Sequence, residues 1–526
     1  MSNSTKGKKR GEKNKKVVHK VKTKDIILTI RKLIAIINNL VIKTLGSEMM
    51  NNTKKLGLWT LVMLIFVPTF GFGNIASNAV ALGPAAIPSW LIVSLLFFLP
   101  LSVMIAELAS ANKDKEGGLY SWIECSIGPK WAFIGTWSYF VANLFYLQMV
   151  FARIPVMVSW ALFGENRFND TNAYMLPWIA LGLAIALTFI ATTGVKRFSK
   201  ISDLGGKLTL AVTVIFILFA VVGVLVGRQP SATVFTAESV IPKFDANYFS
   251  TFSWLILAVA GAEVAGTYIK DVDNPKKVFP KAVILATIFI AGAYVLGSLA
   301  ICLVASPELI AEAGVKDAGY VVYKILAENW GLNGKILIQI YAGILSISSI
   351  AAYVVWLESP IRAMFSEVPE GTFPKFLTKK REDGTMVNAL WVQCGILLVL
   401  IIVPLAGLNS IDEFFNLLIT LSSLSLAIPY IVLAAAYLTF RLKGNVPPFV
   451  MLKSKAAVVI ASTVVFILGV LAFFGAGWGE IAEATSLREA MVPILKNYGG
   501  PVGFIIFGFL ITYLTKKVTK SDSKIA

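Results

Sequence analysis

Residues 68–83 read Pro68-Thr-Phe-Gly71-Phe-Gly73-Asn74-Ile75-Ala-Ser-Asn-Ala-Val-Ala-Leu-Gly83 and interrupt an apolar run that would otherwise form one membrane-spanning helix. Pro68 removes a backbone donor and crowds the preceding turn, while Gly71 and Gly73 lower the cost of leaving helical geometry. In hydrocarbon, freed N–H and C=O groups are tolerated only where protein or a water-lined cavity receives them. A helix broken at membrane depth therefore points to a binding site, more so when a second break occupies a matching place. The chain supplies one in Ala258-Val-Ala260-Gly261-Ala262-Glu263-Val-Ala-Gly266.

Working outward, the composition fits such spans. The 526 residues are 56% hydrophobic with a mean hydropathy of +0.74, more apolar than a soluble core can hide. A span needs ~20 apolar residues to cross ~30 Å of hydrocarbon. Twelve runs qualify, at roughly 57–80, 87–110, 130–160, 175–193, 204–227, 250–269, 281–304, 333–357, 389–406, 412–438, 457–477 and 499–515. The first follows a long basic region and is not a cleavable signal peptide. With the N-terminus inside, alternation puts 39 of the 48 Lys and Arg in cytoplasmic segments and 8 outside, leaving Arg153 within a span. That bias predicts a multi-pass protein with both termini cytoplasmic.

The net charge of +18 is concentrated at one end: residues 1–56 hold 15 basic and 3 acidic side chains, a net of +12. Residues 6–24 form a polar basic tail. Residues 26–45 then place apolar side chains at helical spacing around Arg31, Lys32 and Lys43, which suits an amphipathic helix on anionic membrane lipids. A regulatory or partner-binding tail is the alternative. Aromatic interleaving is missing, which argues against nucleic acid. Cys125, Cys302 and Cys394 are far apart and the only histidine, His19, lies in the tail, so neither a metal or cofactor site nor a histidine triad is expected.

The tail, 1–56, precedes ten spans over 57–440, two added spans over 441–515 and a cytoplasmic C-terminal tail, 516–526. Spans one and six each open a block of five, about 57–227 and 250–440. An odd-sized block reverses its orientation between copies. The expected fold is thus an all-α polytopic membrane protein of twelve transmembrane helices. It is built as a five-plus-five inverted repeat with broken helices one and six, plus two extra helices.

Each break offers complementary chemistry. At the first, N–H groups of Gly71, Phe72, Gly73 and Asn74, with Ile75 just beyond, carry partial positive charge that can hold a carboxylate. Helix packing through small residues is the competing reading. At the second, Gly261 and Gly266 favour unwinding, and carbonyls at Ala258, Ala260, Gly261 and Ala262 can accept from an ammonium. Glu263, costing on the order of 3 kcal/mol within a span, either carries a proton or braces the freed backbone. Arg153 either snorkels outward or pairs with a carboxylate of the protein or of an acidic ligand. Tyr146, Gln148, Tyr341, Ser346 and Thr420 are lesser pocket candidates.

These residues resemble a family. Gly261-Ala262-Glu263 followed by Asp271-Val-Asp-Asn274-Pro275-Lys-Lys277-Val-Phe-Pro280 is similar to the sixth-span signature of the amino acid–polyamine–organocation transporters. So is Ala106-Glu107-Leu108 followed by Glu116-Gly117-Gly118-Leu-Tyr120-Ser-Trp122. Ser359-Pro360-Ile-Arg362 through Gln393 resembles the glutamate/GABA antiporter branch. The resemblance covers about residues 57–440 and implies a permease of a bacterial cell membrane that moves amino acids or related amines by alternating access. It assigns the substrate carboxylate to Gly71, Phe72 and Gly73 and the amino group to carbonyls of residues 258–262, and it matches Glu263 to the glutamate of the Gly-x-Glu motif; Glu263, Lys207 and Arg153 are the candidates for proton coupling or gating. Lys207 matches a lysine that some proton-coupled members place at an ion site, or is a snorkelling cytoplasmic lysine. Glu107 and the Gly117-Gly118 turn match an inner-loop motif with a structural or gating role. Phe72 stands where many relatives have a small polar residue. The stretch Leu255-Ile-Leu-Ala-Val-Ala260 lacks their aromatic gate, with Trp254 one turn too early to replace it. Both departures predict a different or more apolar side-chain pocket.

The function expected is exchange or proton-coupled transport of an amino acid. An amino-acid sensor signalling through the basic tail is the rival, and an enzyme is disfavoured because no nucleophile is placed with a base.

Overall fold

The computed structural model describes residues 56–525 except 116–117, 169–174, 194–195, 366–367, 370, 383 and 403–410. The basic tail, with its expected helix over 26–45, lies outside the described residues, as do Glu116 and Gly117. Among the described residues the structure is helical, and an isolated parallel bridge between Leu56 and Val272 is its one β feature. Nine helices among them are long and apolar enough to cross a membrane, and two shorter apolar helices accompany these. The protein is a multi-pass membrane protein.

The first apolar run is split into α1 (Leu58–Thr69) and α2 (Phe72–Leu82), with Phe70 and Gly71 extended between them. Gly83 at φ +53° turns the chain into α3 (Ala86–Val93), which continues through a π turn, Ser94–Phe98, into α4 (Leu99–Ala111). There follow α5 (Leu119–Ile127), α6 (Pro129–Phe163), α7 (Met175–Thr192) and α8 (Lys196–Leu225). After α9 (Ala246–Ala258) comes a 3₁₀ segment, Ala262–Asp271, and then α10 (Pro275–Val304), α11 (Pro307–Asn329) and α12 (Gly334–Phe365). The chain ends with α13 (Val387–Ile402), α14 (Ile411–Leu442), α15 (Lys455–Gly475) and α16 (Leu487–Ile525).

Burial separates an inner group of helices from an outer one. The most apolar window is 83% buried in both α6 and α14 but only 11% in α16 and 22% in α8. On α16, Ile506, Phe507 and Leu510 are exposed and suited to lipid. The inner helices carry the polar residues, because a bundle interior is where such groups find partners or a cavity.

Glu107, fully buried near the end of α4, shows how a membrane carboxylate can be satisfied. It accepts from Tyr437 Oη at 2.8 Å and from the Met451 and Leu452 N–H groups at 2.7 and 2.9 Å. It also pairs with Arg441. This one side chain ties α4 to the end of α14 and to the connection before α15, which supports the structural half of the expected role.

Candidate functional site

The two breaks lie against each other. A Cβ on Gly261 would strike the side chain of Thr69, the last residue of α1, and Gly261 sits at φ +132°. Close approach and backbone conformation both require glycine there. The 3₁₀ segment runs antiparallel to α1: Thr69 meets Gly261 at one end, and the Asp273 N–H donates to the Leu56 carbonyl at 3.0 Å at the other.

Tyr294, from α10, bridges the breaks. Its hydroxyl lies 2.8 Å from the Thr69 carbonyl and 2.8 Å from the Ala258 carbonyl, and it accepts from Asn74 Nδ2 at 3.3 Å. Its ring is stacked on Trp90 at 4.0 Å. One hydroxyl has one proton, so it serves one carbonyl at a time and leaves the other available to a second donor.

Glu263 braces the second break. Its carboxylate accepts from the Gly261 N–H at 3.2 Å and from Tyr430 Oη at 3.0 Å. At the first break the Phe72 and Gly73 N–H groups have no acceptor among the described residues, while the Asn74 N–H returns to the Gly71 carbonyl at 2.9 Å. Gly71 caps α2 without any side-chain acceptor. These donors stay available at the positive end of a helix.

A cavity opens beside both breaks, bounded by Thr69 and Asn74 from one and by Ala258, Ala260 and Glu263 from the other. Among the described residues, five buried polar atoms along its wall lack a partner: Ser77 Oγ, Asn78 Oδ1, Tyr139 Oη, Arg153 Nε and Trp254 Nε1. Buried polar groups are nearly always bonded, so five converging on one space mark it as a site for a polar ligand or water. A wider adjoining cavity shares Asn74, Tyr146, Arg153 and Trp356 and reaches Gly71, Phe72 and Gly73.

Arg153 enters this space from α6. A Cβ on Gly73 would lie 3.3 Å from its Nη1, and its guanidinium sits 5.6 Å from the Phe415 ring centroid.

The expected residues divide by position. Gly71, Phe72, Gly73, Asn74, Ala258, Ala260, Glu263 and Arg153 line one or both cavities, as do Tyr146 and Tyr341. Gly261, in the turn before the 3₁₀ segment, and Ala262, the first residue of that segment, line neither of these two cavities. Ile75 is buried where a Cβ on Gly297 would meet it, and Lys207 is half-buried on α8; neither lines a cavity. The same holds for Gln148, Ser346 and Thr420, and the Ser346 hydroxyl is taken by the Ala342 carbonyl at 2.7 Å.

Trp254, on α9 ahead of the helix end at Ala258, lines the smaller cavity. Phe72 lines the wider cavity and not the smaller one. Its ring packs edge-on against Phe216 at 5.0 Å and Tyr323 at 4.8 Å, within an aromatic cluster that includes Tyr341.

Sequence reasoning overlooked Tyr294 and the wall residues Ser77, Asn78 and Tyr139. A lone polar residue inside an apolar run was the signal they offered, and many side chains share it.

Fold and site together define a polytopic membrane protein with a cavity beside two apposed helix breaks. The family model described as "Amino acid permease" matches residues 56–477, and the chain belongs to that family, within the amino acid–polyamine–organocation superfamily. It is 25% identical over 472 residues to the aspartate/glutamate permease AcaP of Lactococcus lactis, covering 89% of this chain and 96% of that protein. It is 28% identical over 487 residues to the inner membrane transporter YjeM of Escherichia coli, covering 88% and 97%. A glutamate/gamma-aminobutyrate antiporter of Lactococcus lactis is 25% identical over 314 residues, covering 59% and 61%. Amino acid transport is the activity class that these matches support.

Proposed function

We propose that this chain is a secondary transporter of amino acids or related amines in a bacterial cell membrane, working by alternating access around the cavity between its two helix breaks. The observation that carries the reading is the convergence of five unpartnered buried polar atoms on a space bounded by both breaks. The Phe72 and Gly73 N–H groups receive the substrate carboxylate at the start of α2. The ammonium goes to whichever of the Thr69 and Ala258 carbonyls Tyr294 leaves open. Glu263 holds the second break in shape and is the candidate proton carrier.

The same reading takes residues 57–440 as a ten-span core of two inverted five-helix repeats, followed by two added spans and with both termini cytoplasmic. The antiparallel run of α1 and the 3₁₀ segment supports that symmetry, since inverted copies bring their first helices together head to tail. The basic tail, 1–56, rests on anionic lipids.

The test uses the purified full chain in liposomes, with labelled amino acids supplied with and without internal amino acid and with and without a pH gradient. Saturable uptake stimulated by one of these conditions is expected. Saturable binding without flux under any gradient would replace the transporter with a sensor. Glu263→Gln should keep exchange and lose its pH dependence, and an unchanged pH profile would remove Glu263 from coupling.

A further inference from the structure

Arg153 is a cation in the cavity wall without an anion. Among the described residues it makes no ion pair and no hydrogen bond, and its Nε is buried without a partner. Glu263 lines the same cavity, but its oxygens are engaged by Gly261 and Tyr430 and it lies outside ion-pair distance of Arg153. The Phe415 ring is the guanidinium's recorded contact, and a ring face neither removes its charge nor accepts its fork of N–H donors. An unpaired intramembrane arginine is costly, and a bidentate carboxylate is the group that best relieves that cost.

The first break already offers the Phe72 and Gly73 N–H groups to one carboxylate. Arg153 stands next to them, within reach of Gly73, and adds a full charge where the helix end supplies only a partial one. The wall thus presents two distinct sets of donors for anionic groups beside one region of open carbonyls for an ammonium. We infer that the substrates are acidic amino acids: the α-carboxylate sits on the α2 N-terminus and the side-chain carboxylate takes the Arg153 guanidinium in a forked pair. Arg153 is then the specificity residue. A neutral amino acid leaves it desolvated and unpaired, which selects against isosteric amides. This rests on the transporter reading given above and names the substrate class of the same cavity.

The experiment is a competition and uptake screen with the full chain in liposomes, pairing aspartate with asparagine and glutamate with glutamine. The unaltered protein should favour each acid over its amide by roughly thirtyfold or more. Arg153→Gln should erase that preference and retain uptake of neutral amino acids. Arg153→Lys, which keeps the charge but not the fork, should fall between. Equal or better transport of the amides by the unaltered protein would overturn the assignment while leaving the transporter reading intact. A uniform loss of uptake for acids and amides alike in a folded Arg153→Gln protein would also overturn it, by placing Arg153 on the α-carboxylate that all amino acids share. Absence of binding and flux for every amino acid would sink the transporter reading itself. If Arg153→Gln does not fold, the acid–amide comparison on the unaltered protein decides alone.

Discussion

Arg441 and Arg153 both belong to the inner helices, and they differ in what answers their charge. Arg441 pairs with fully buried Glu107, lies 3.2 Å from Tyr437 Oη and donates to the Leu452 carbonyl at 2.8 Å. Arg153 faces a cavity, with a ring 5.6 Å away and a buried Nε that has no partner. A charge that the protein itself satisfies fastens helices together. A charge it leaves open beside a cavity is available to a ligand. The contrast distinguishes the two arginines by their partners, where sequence position could not.

Substitutions can break that contrast, and the largest effect is expected at the satisfied cluster. Glu107→Gln leaves the largely covered Arg441 without its counter-ion and should cost roughly 3 kcal/mol, seen as a marked fall in the thermal unfolding temperature of the purified protein. Gly261→Ala comes next, at about 2 kcal/mol, because alanine is strained at φ +132° and collides with Thr69. Its uptake should fall with its stability.

Tyr294→Phe keeps the stacking on Trp90 but removes the hydroxyl between the two breaks, at about 1 kcal/mol. Its stronger signature should be altered substrate affinity, measured as the uptake KM. Arg153→Gln should change the unfolding temperature least, since the protein loses no internal pair. A loss of stability as large as that of Glu107→Gln would make Arg153 structural and dissolve the comparison.

The breaks were legible because Pro68, Gly71, Gly73, Gly261 and Glu263 are local violations of an apolar helical run, and local violations are visible in one dimension. The long helices were legible for the same reason, through length and hydropathy. What joins the breaks was not. Tyr294 lies 225 residues from Thr69, so its bridge exists only after folding. That Trp254 lines the smaller cavity was likewise visible only once the helices were packed. The two readings of Arg153 could not be separated until the surroundings of its guanidinium were known. Lys207 matched a family position, and the wider cavity is lined by its neighbours Gly206 and Thr209.

In the proposed function the transported molecule sits in the cavity between the breaks. Ser77 has its hydroxyl buried in that wall without a partner, so Ser77→Leu fills the space and removes no internal hydrogen bond. Saturable amino acid uptake into liposomes, measured for the unaltered chain and for Ser77→Leu with matched unfolding temperatures, tests the claim most directly. Uptake by the unaltered chain and its loss in the filled variant is the predicted result. Undiminished uptake through the filled cavity would contradict it.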